Sequence, residues 1–245
     1  MKRLFGSAAV LVLTAFGLTA ALRYFCRQST PVIAPSSVSP VRPLILDAGH
    51  GGEDGGAVSP SGTVESQINL AVVLKLDDVL GLYGAPHTLL RREDVSLHDP
   101  EANTLREKKV SDLKNRVDAI TATEGGTLLS IHQNSYPDSR YHGTQVFYAP
   151  TEGSQDLARH IQAAIRAALQ PENSRECKQI PDTVYLMNHI DCPAVLVECG
   201  FLTNPEEEAM LCEESYQKKL AAVLAAAWLT APETGEDVSQ GTAVP

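Results

Sequence analysis

Apolar residues along this chain alternate between two spacings. Short runs of strand length occur at Leu44 to Asp47, His87 to Arg91, Thr127 to His132, Gly143 to Tyr148, Val184 to Met187 and Ala194 to Cys199. Between them the period lengthens to that of a helix. From Glu65 to Leu82, Ile68, Val72, Leu76 and Val79 share a face, and Gly81 and Gly84 punctuate the end. Leu113, Val117 and Ile120 do the same from Ser111 to Thr121, as do Leu157, Ile161, Ile165 and Leu169 from Gln155 to Leu169, where Ser154 is placed to cap. Pro205 to Leu229 reads as mostly helical. Strands alternating with helices predict an α/β fold: one domain over residues 44–230, with a largely parallel or mixed sheet flanked by helices. Sites in such folds gather beyond the carboxyl ends of strands.

The two ends differ from this body. Met1-Lys2-Arg3 precedes an uncharged stretch from Leu4 to Leu22, followed by Arg23 and Arg27. Residues 1–27 therefore read as a signal peptide or a membrane anchor, and Lys2 and Arg3 favour a cytoplasmic N-terminus with an exported body. Thr19-Ala20-Ala21 offers a cleavage site, so anchoring and secretion both remain open. Residues 28–43, rich in Pro, Ser and Val, read as a semi-rigid linker. Residues 231–245 are polar and acidic, the composition of a disordered tail.

Composition narrows the chemistry. Hydrophobic residues are 43% of the 245, enough for a buried core, and the net charge of -10 without a basic patch argues against a nucleic-acid partner. Five cysteines, an odd number with no Cys-x-x-Cys pair, disfavour both a disulfide framework and a thiolate zinc site.

Four residues stand in unusual settings. His50 lies in Gly49-His50-Gly51-Gly52, a turn nearly stripped of side chains, where a ligand can approach closely. His132 leaves the run Leu128-Leu129-Ser130-Ile131 and is followed by Gln133, Asn134 and Ser135. Glu198 stands among Val195, Leu196, Val197, Cys199 and Gly200; alternation puts it on the side of Leu196, opposite Val195, Val197 and Cys199. An ionised carboxylate there is costly unless paired, protonated or beside a metal, and Arg91 and Arg116 are candidate ion-pair partners. Glu65 opens a helix, where the dipole alone would favour it. Two imidazoles and one carboxylate suit a catalytic zinc ion with an open position, but spacing does not choose Glu65 over Glu53 or Asp54 as the carboxylate. Arg91, Arg92, Glu93 and Asp94 read as the solvated or salt-bridged start of a loop.

Taken in order, Asp47 to Gly52, Glu65 to Leu70, Ser130 to Asn134 and Glu198 to Asn204 resemble the motifs of the zinc-dependent N-acetylmuramoyl-L-alanine amidases of bacterial cell walls (the amidase_3 family), over about Leu44 to Leu229. Ala48 replaces the family's proline and Leu90 its usual threonine. The resemblance implies that His50, Glu65 and His132 bind Zn2+ and that Glu198 is the catalytic glutamate. It is the resemblance that selects Glu65. The implied reaction is hydrolysis of the amide joining N-acetylmuramic acid to L-alanine in peptidoglycan, on the outer face of a bacterial membrane.

A narrower similarity, to CwlD-type sporulation amidases, rests on Thr104 to Val117, Asp138 to Gln145 and the segment around Val184-Tyr185-Leu186. It implies a role in forming muramic-δ-lactam in spore cortex, a mark read at germination, and leaves room for an activating protein partner. The rivals are a general autolysin and a peptidoglycan-binding protein that has lost catalysis. His-Glu-x-x-His is absent, which disfavours the common metalloproteases.

Overall fold

The computed structural model describes residues 42–232. Segment 1–27, nearly all of the linker and nearly all of the tail lie outside the described residues. Among the described residues, no helix is long and apolar enough to cross a membrane.

Six strands form one mixed sheet: β1 (Leu44–Ala48), β2 (His87–Leu89), β3 (Thr127–Asn134), β4 (Gln145–Tyr148), β5 (Lys178–Gln179) and β6 (Ala194–Phe201). Their order is β2-β1-β3-β6-β4-β5. The first four in that order are mutually parallel; β4 runs antiparallel to β6, and β5 parallel to β4. Every residue of β1 is buried, as expected where both faces of a parallel strand are covered.

Helices α1 (Glu65–Leu82), α3 (Ser154–Ala168) and α5 (Glu214–Leu229) cover one face. Ile68, Val72 and Leu76 of α1 and Leu157, Ile161 and Ile165 of α3 pack with Leu220 and Leu224 of α5 against Leu46, Leu129, Ile131, Val195 and Val197. Each such side chain contributes roughly 1.5–3 kcal/mol through burial. On the other face, Ile120 of α2 (Leu105–Thr121), with Ile180, Leu186 and Ile190, covers Ile45, Leu128 and Leu196. The short helix α4 (Pro205–Cys212) follows β6, capped by the Asn204 side chain, which accepts from the Glu206 and Glu207 backbone N–H groups.

Three local expectations are corrected. Helix α2 begins at Leu105 rather than Ser111, because Thr104 and Glu107 form a reciprocal capping box. Ser154 does not cap α3: its hydroxyl accepts from Ala194 N at 2.8 Å, and Gly153, at φ 79°, precedes the helix instead. Val184 to Met187 is not a strand but leads into a 3-10 turn at Leu186–Asn188. Pro205 to Leu229 is mostly helical as expected, in two helices parted at Glu213, whose backbone is extended.

Candidate active site

The carboxyl ends of β1, β3 and β6 lie side by side, and each delivers one of the singled-out residues. His132 and Glu198 are register partners on β3 and β6. His50 follows β1, with its backbone at φ 61°, the only non-glycine with positive φ among the described residues. The left-handed region costs such a residue about 1–2 kcal/mol, so the turn needs external support. Two arginines give it. Arg116 on α2 donates to the carbonyls of Ala48 at 3.2 Å and His50 at 2.7 Å. Arg91 donates to those of Ala48 at 2.8 Å, Gly49 at 3.1 Å and Ser66 at 3.0 Å.

Both arginines depart from expectation. Neither pairs with Glu198. Of the solvated and salt-bridged alternatives Arg91 takes the second: it is buried and lies 4.0 Å from Asp94, and Arg116 binds Asp47 and Asp112, the latter at 2.7 Å. Burial opposes ionisation of Asp47, but the Arg116 guanidinium, with His132 and the Ser130 hydroxyl, outweighs it and holds the carboxyl below its usual range. One signal for Arg116 was present in the sequence: it sits among Leu113, Val117 and Ile120 on the apolar side of its helix.

Glu65 is held between the two imidazoles. Its Oε1 lies 2.9 Å from His132 Nδ1 and 3.4 Å from His50 Nε2. The same oxygen accepts from Gln133 N at 3.1 Å and Asn69 Nδ2 at 3.3 Å, while Oε2 accepts from Ala57 N at 2.8 Å. Burial works against this charge, yet hydrogen bonds from His132 and His50 pull its pKa far below the ordinary range. Asp54 sits behind His50, its Oδ2 3.0 Å from Nδ1. Burial would lower the pKa of His50, but Asp54 and Glu65 raise it to about 9. Of the other two acidic residues near the turn, Glu53 pairs with Lys108 at 2.6 Å, and Asp54 meets the His50 ring at the nitrogen opposite the one that faces Glu65.

Two glycines keep this cluster open. A Cβ on Gly49 would overlap the His132 ring, and one on Gly56 would overlap the Glu65 carboxylate and crowd the His50 ring. Donor atoms of His50, Glu65 and His132 all lie within 4.8 Å of one another. Two imidazole nitrogens and a carboxylate oxygen so arranged fit a zinc ion, which accepts nitrogen and oxygen donors. Across from them Glu198 is buried enough to push its carboxyl up to about 7. Its Oε2 is buried with no hydrogen-bond partner, an arrangement rare for a carboxylate without a task.

The family of N-acetylmuramoyl-L-alanine amidases matches residues 44–229, nearly the whole described body. The chain belongs to that family. It is an enzyme, an amidase of peptidoglycan. The germination-specific N-acetylmuramoyl-L-alanine amidase of Bacillus subtilis is 34% identical over 180 residues, spanning 73% of this chain and 75% of that protein. The amidase LytC of the same organism is 27% identical over 184 residues, 74% of this chain and 34% of its own longer length. Among solved structures, the CwlD amidase of Clostridioides difficile, in complex with the GerS lipoprotein, superposes with a TM-score of 0.73 at 38% identity. It covers 76% of this chain and 95% of that one.

Proposed function

We propose that this amidase is a zinc enzyme in which His50, Glu65 and His132 hold the metal and Glu198 moves protons. The observation that carries the reading is the orphaned, buried Glu198 Oε2 on the strand beside His132. A zinc ion held there by His50, Glu65 and His132 would supply Lewis acidity toward water and the scissile carbonyl. Glu198 takes the proton of the attacking water at its carboxylate and returns it to the leaving nitrogen of L-alanine. Asp54 fixes the His50 ring through Nδ1, leaving Nε2 toward Glu65. Asn69, donating to the Glu65 carboxylate and to the Gly49 carbonyl at 3.1 Å, ties the helix start to the turn.

The same reading extends to biology. Similarity to a germination-specific relative supports a role in making muramic-δ-lactam in spore cortex, on the outer face of a membrane to which segment 1–27 targets the body. The CwlD structure contains a lipoprotein, which supports an activating protein partner for this chain as well.

Digestion of purified peptidoglycan with and without zinc, read by mass spectrometry, tests the chemistry. Stem peptides with a free L-alanine amino terminus should appear, and Glu198→Gln should reduce their release roughly 10²- to 10⁴-fold while zinc content stays the same. Undiminished turnover in that variant would remove Glu198 from the mechanism. Preferential release from spore cortex over vegetative wall would support the narrower role, and equal release would favour a general autolysin.

A further inference from the structure

A second polar group stands in line with Glu198. Gln145 on β4 is its register partner across the antiparallel pair, so the two side chains leave the sheet on the same face. Gln145 Oε1 accepts from Arg175 Nη1 at 3.3 Å. His132, Glu198, Gln145 and Arg175 thus form a row across the strand ends.

Arg175 is held but not neutralised. Its Nε donates to the His142 carbonyl at 2.6 Å. Its guanidinium carbon lies 4.7 Å from the Phe201 ring centroid and 5.7 Å from that of Tyr141, stacking that fixes a planar cation. Among the described residues no carboxylate forms a salt bridge with it, and Nη2 has no hydrogen-bond partner. Glu207, whose charge it feels, gives its oxygens to Gly143 N and Phe201 N, each at 2.8 Å. Arg175 also lines a hollow of about 460 Å³ beside Tyr141 and Asn173. The acidic side chains of that hollow are Asp138, already paired with Arg140, and Glu172.

We infer that Arg175 binds the carboxylate of the stem-peptide residue that follows L-alanine. One strand spacing plus a side-chain contact puts the guanidinium on the order of 10 Å from Glu198. In the substrate, the α-carboxyl of the second residue, a D-glutamate joined through its side chain, lies about 7 Å from the scissile nitrogen, two residue lengths. Glu198 stands a further hydrogen-bond length off on the other side of that nitrogen, so the two spans agree. A planar, stacked guanidinium with an uncommitted Nη2 is suited to a carboxylate and not to its carboxamide. The inference rests on Glu198 marking the scissile bond.

The test is calorimetric binding to the full-length, zinc-loaded Glu198→Gln protein. The ligands are a muramoyl-L-alanyl-D-glutamic acid with a free α-carboxyl and the same compound amidated there. The acid should bind roughly ten- to a hundredfold tighter. Adding Arg175→Gln should bring the ratio close to one, and Arg175→Lys should leave it in between. A ratio near one with Arg175 present, a ratio that Arg175→Gln and Arg175→Lys leave unchanged, or no binding of either ligand at millimolar concentration would overturn the inference. Turnover persisting in Glu198→Gln would instead show as product in the cell and count against the role of Glu198.

Discussion

Replacing Arg116 with methionine tests how the His50 turn is held. Asp47 is 1% exposed and Arg116 2%, so the substitution leaves a buried carboxylate with the Ser130 hydroxyl, at 2.6 Å, as its remaining hydrogen-bond donor among the described residues. Breaking a buried pair by removing one partner costs about 3–5 kcal/mol, equivalent for a domain of this size to a fall in Tm of roughly 6–20 °C. The sign of the pH dependence is also set. With Arg116 present the Asp47 pKa is depressed, so its contribution is in place above the unfolded carboxyl pKa and is lost as pH falls through the lower folded value. Without Arg116, burial is opposed only by His132 and the Ser130 hydroxyl, so the folded pKa rises from its depressed position and acidification relieves the strain by protonating Asp47. Urea unfolding of the metal-free protein at pH 8 and pH 5 measures both. The penalty of Arg116→Met should be smaller at pH 5, and Asp47→Leu added to it should recover most of the loss. A penalty below about 1 kcal/mol at pH 8, or one that grows on acidification, would refute the reasoning.

Gly49→Ala, whose new methyl overlaps the His132 ring, should lower zinc stoichiometry measured by elemental analysis while far-ultraviolet circular dichroism stays native; full zinc occupancy would contradict the tight approach. Asp54→Ala removes the group behind His50 and should weaken zinc binding about 10- to 100-fold in a chelator competition. Unchanged affinity would mean that His50 is oriented by the turn alone.

The alternation of periods made the sheet and its main helices legible, because both faces of the sheet had to be covered and the core positions repeat accordingly. Ser154 shows where local signals mislead: a serine before an apolar helix suits a cap, but an unpaired backbone N–H at Ala194, forty residues away, takes its oxygen. Val184 to Met187 has strand composition, yet its Leu186 and Met187 pack beneath the sheet instead of joining it. In the site, His50, His132 and Glu198 announced themselves by neighbours unlike them. Glu65 did not, since what distinguishes it from Asp54 is which side of His50 it occupies, a matter of tertiary path. The burial of Arg91, which does pair with Asp94 at 4.0 Å, was hidden for a related reason. A charged residue at a strand end is ordinarily solvated, and its burial here goes with four backbone carbonyls that the turn, the loop and the start of α1 direct at it.

The outermost strands of the sheet are stubs: β2 has three residues and β5 two. An edge that short offers another chain only two or three rungs of backbone, too few to nucleate a continued ladder. The long, almost wholly buried strands β3 and β6, whose sequences would be the sticky ones if bared, sit in the middle, flanked on each side. A concentrated solution of the folded protein should therefore resist sheet-to-sheet aggregation, and the hazard falls in the interval of folding before β1 and β4 have closed over the central pair.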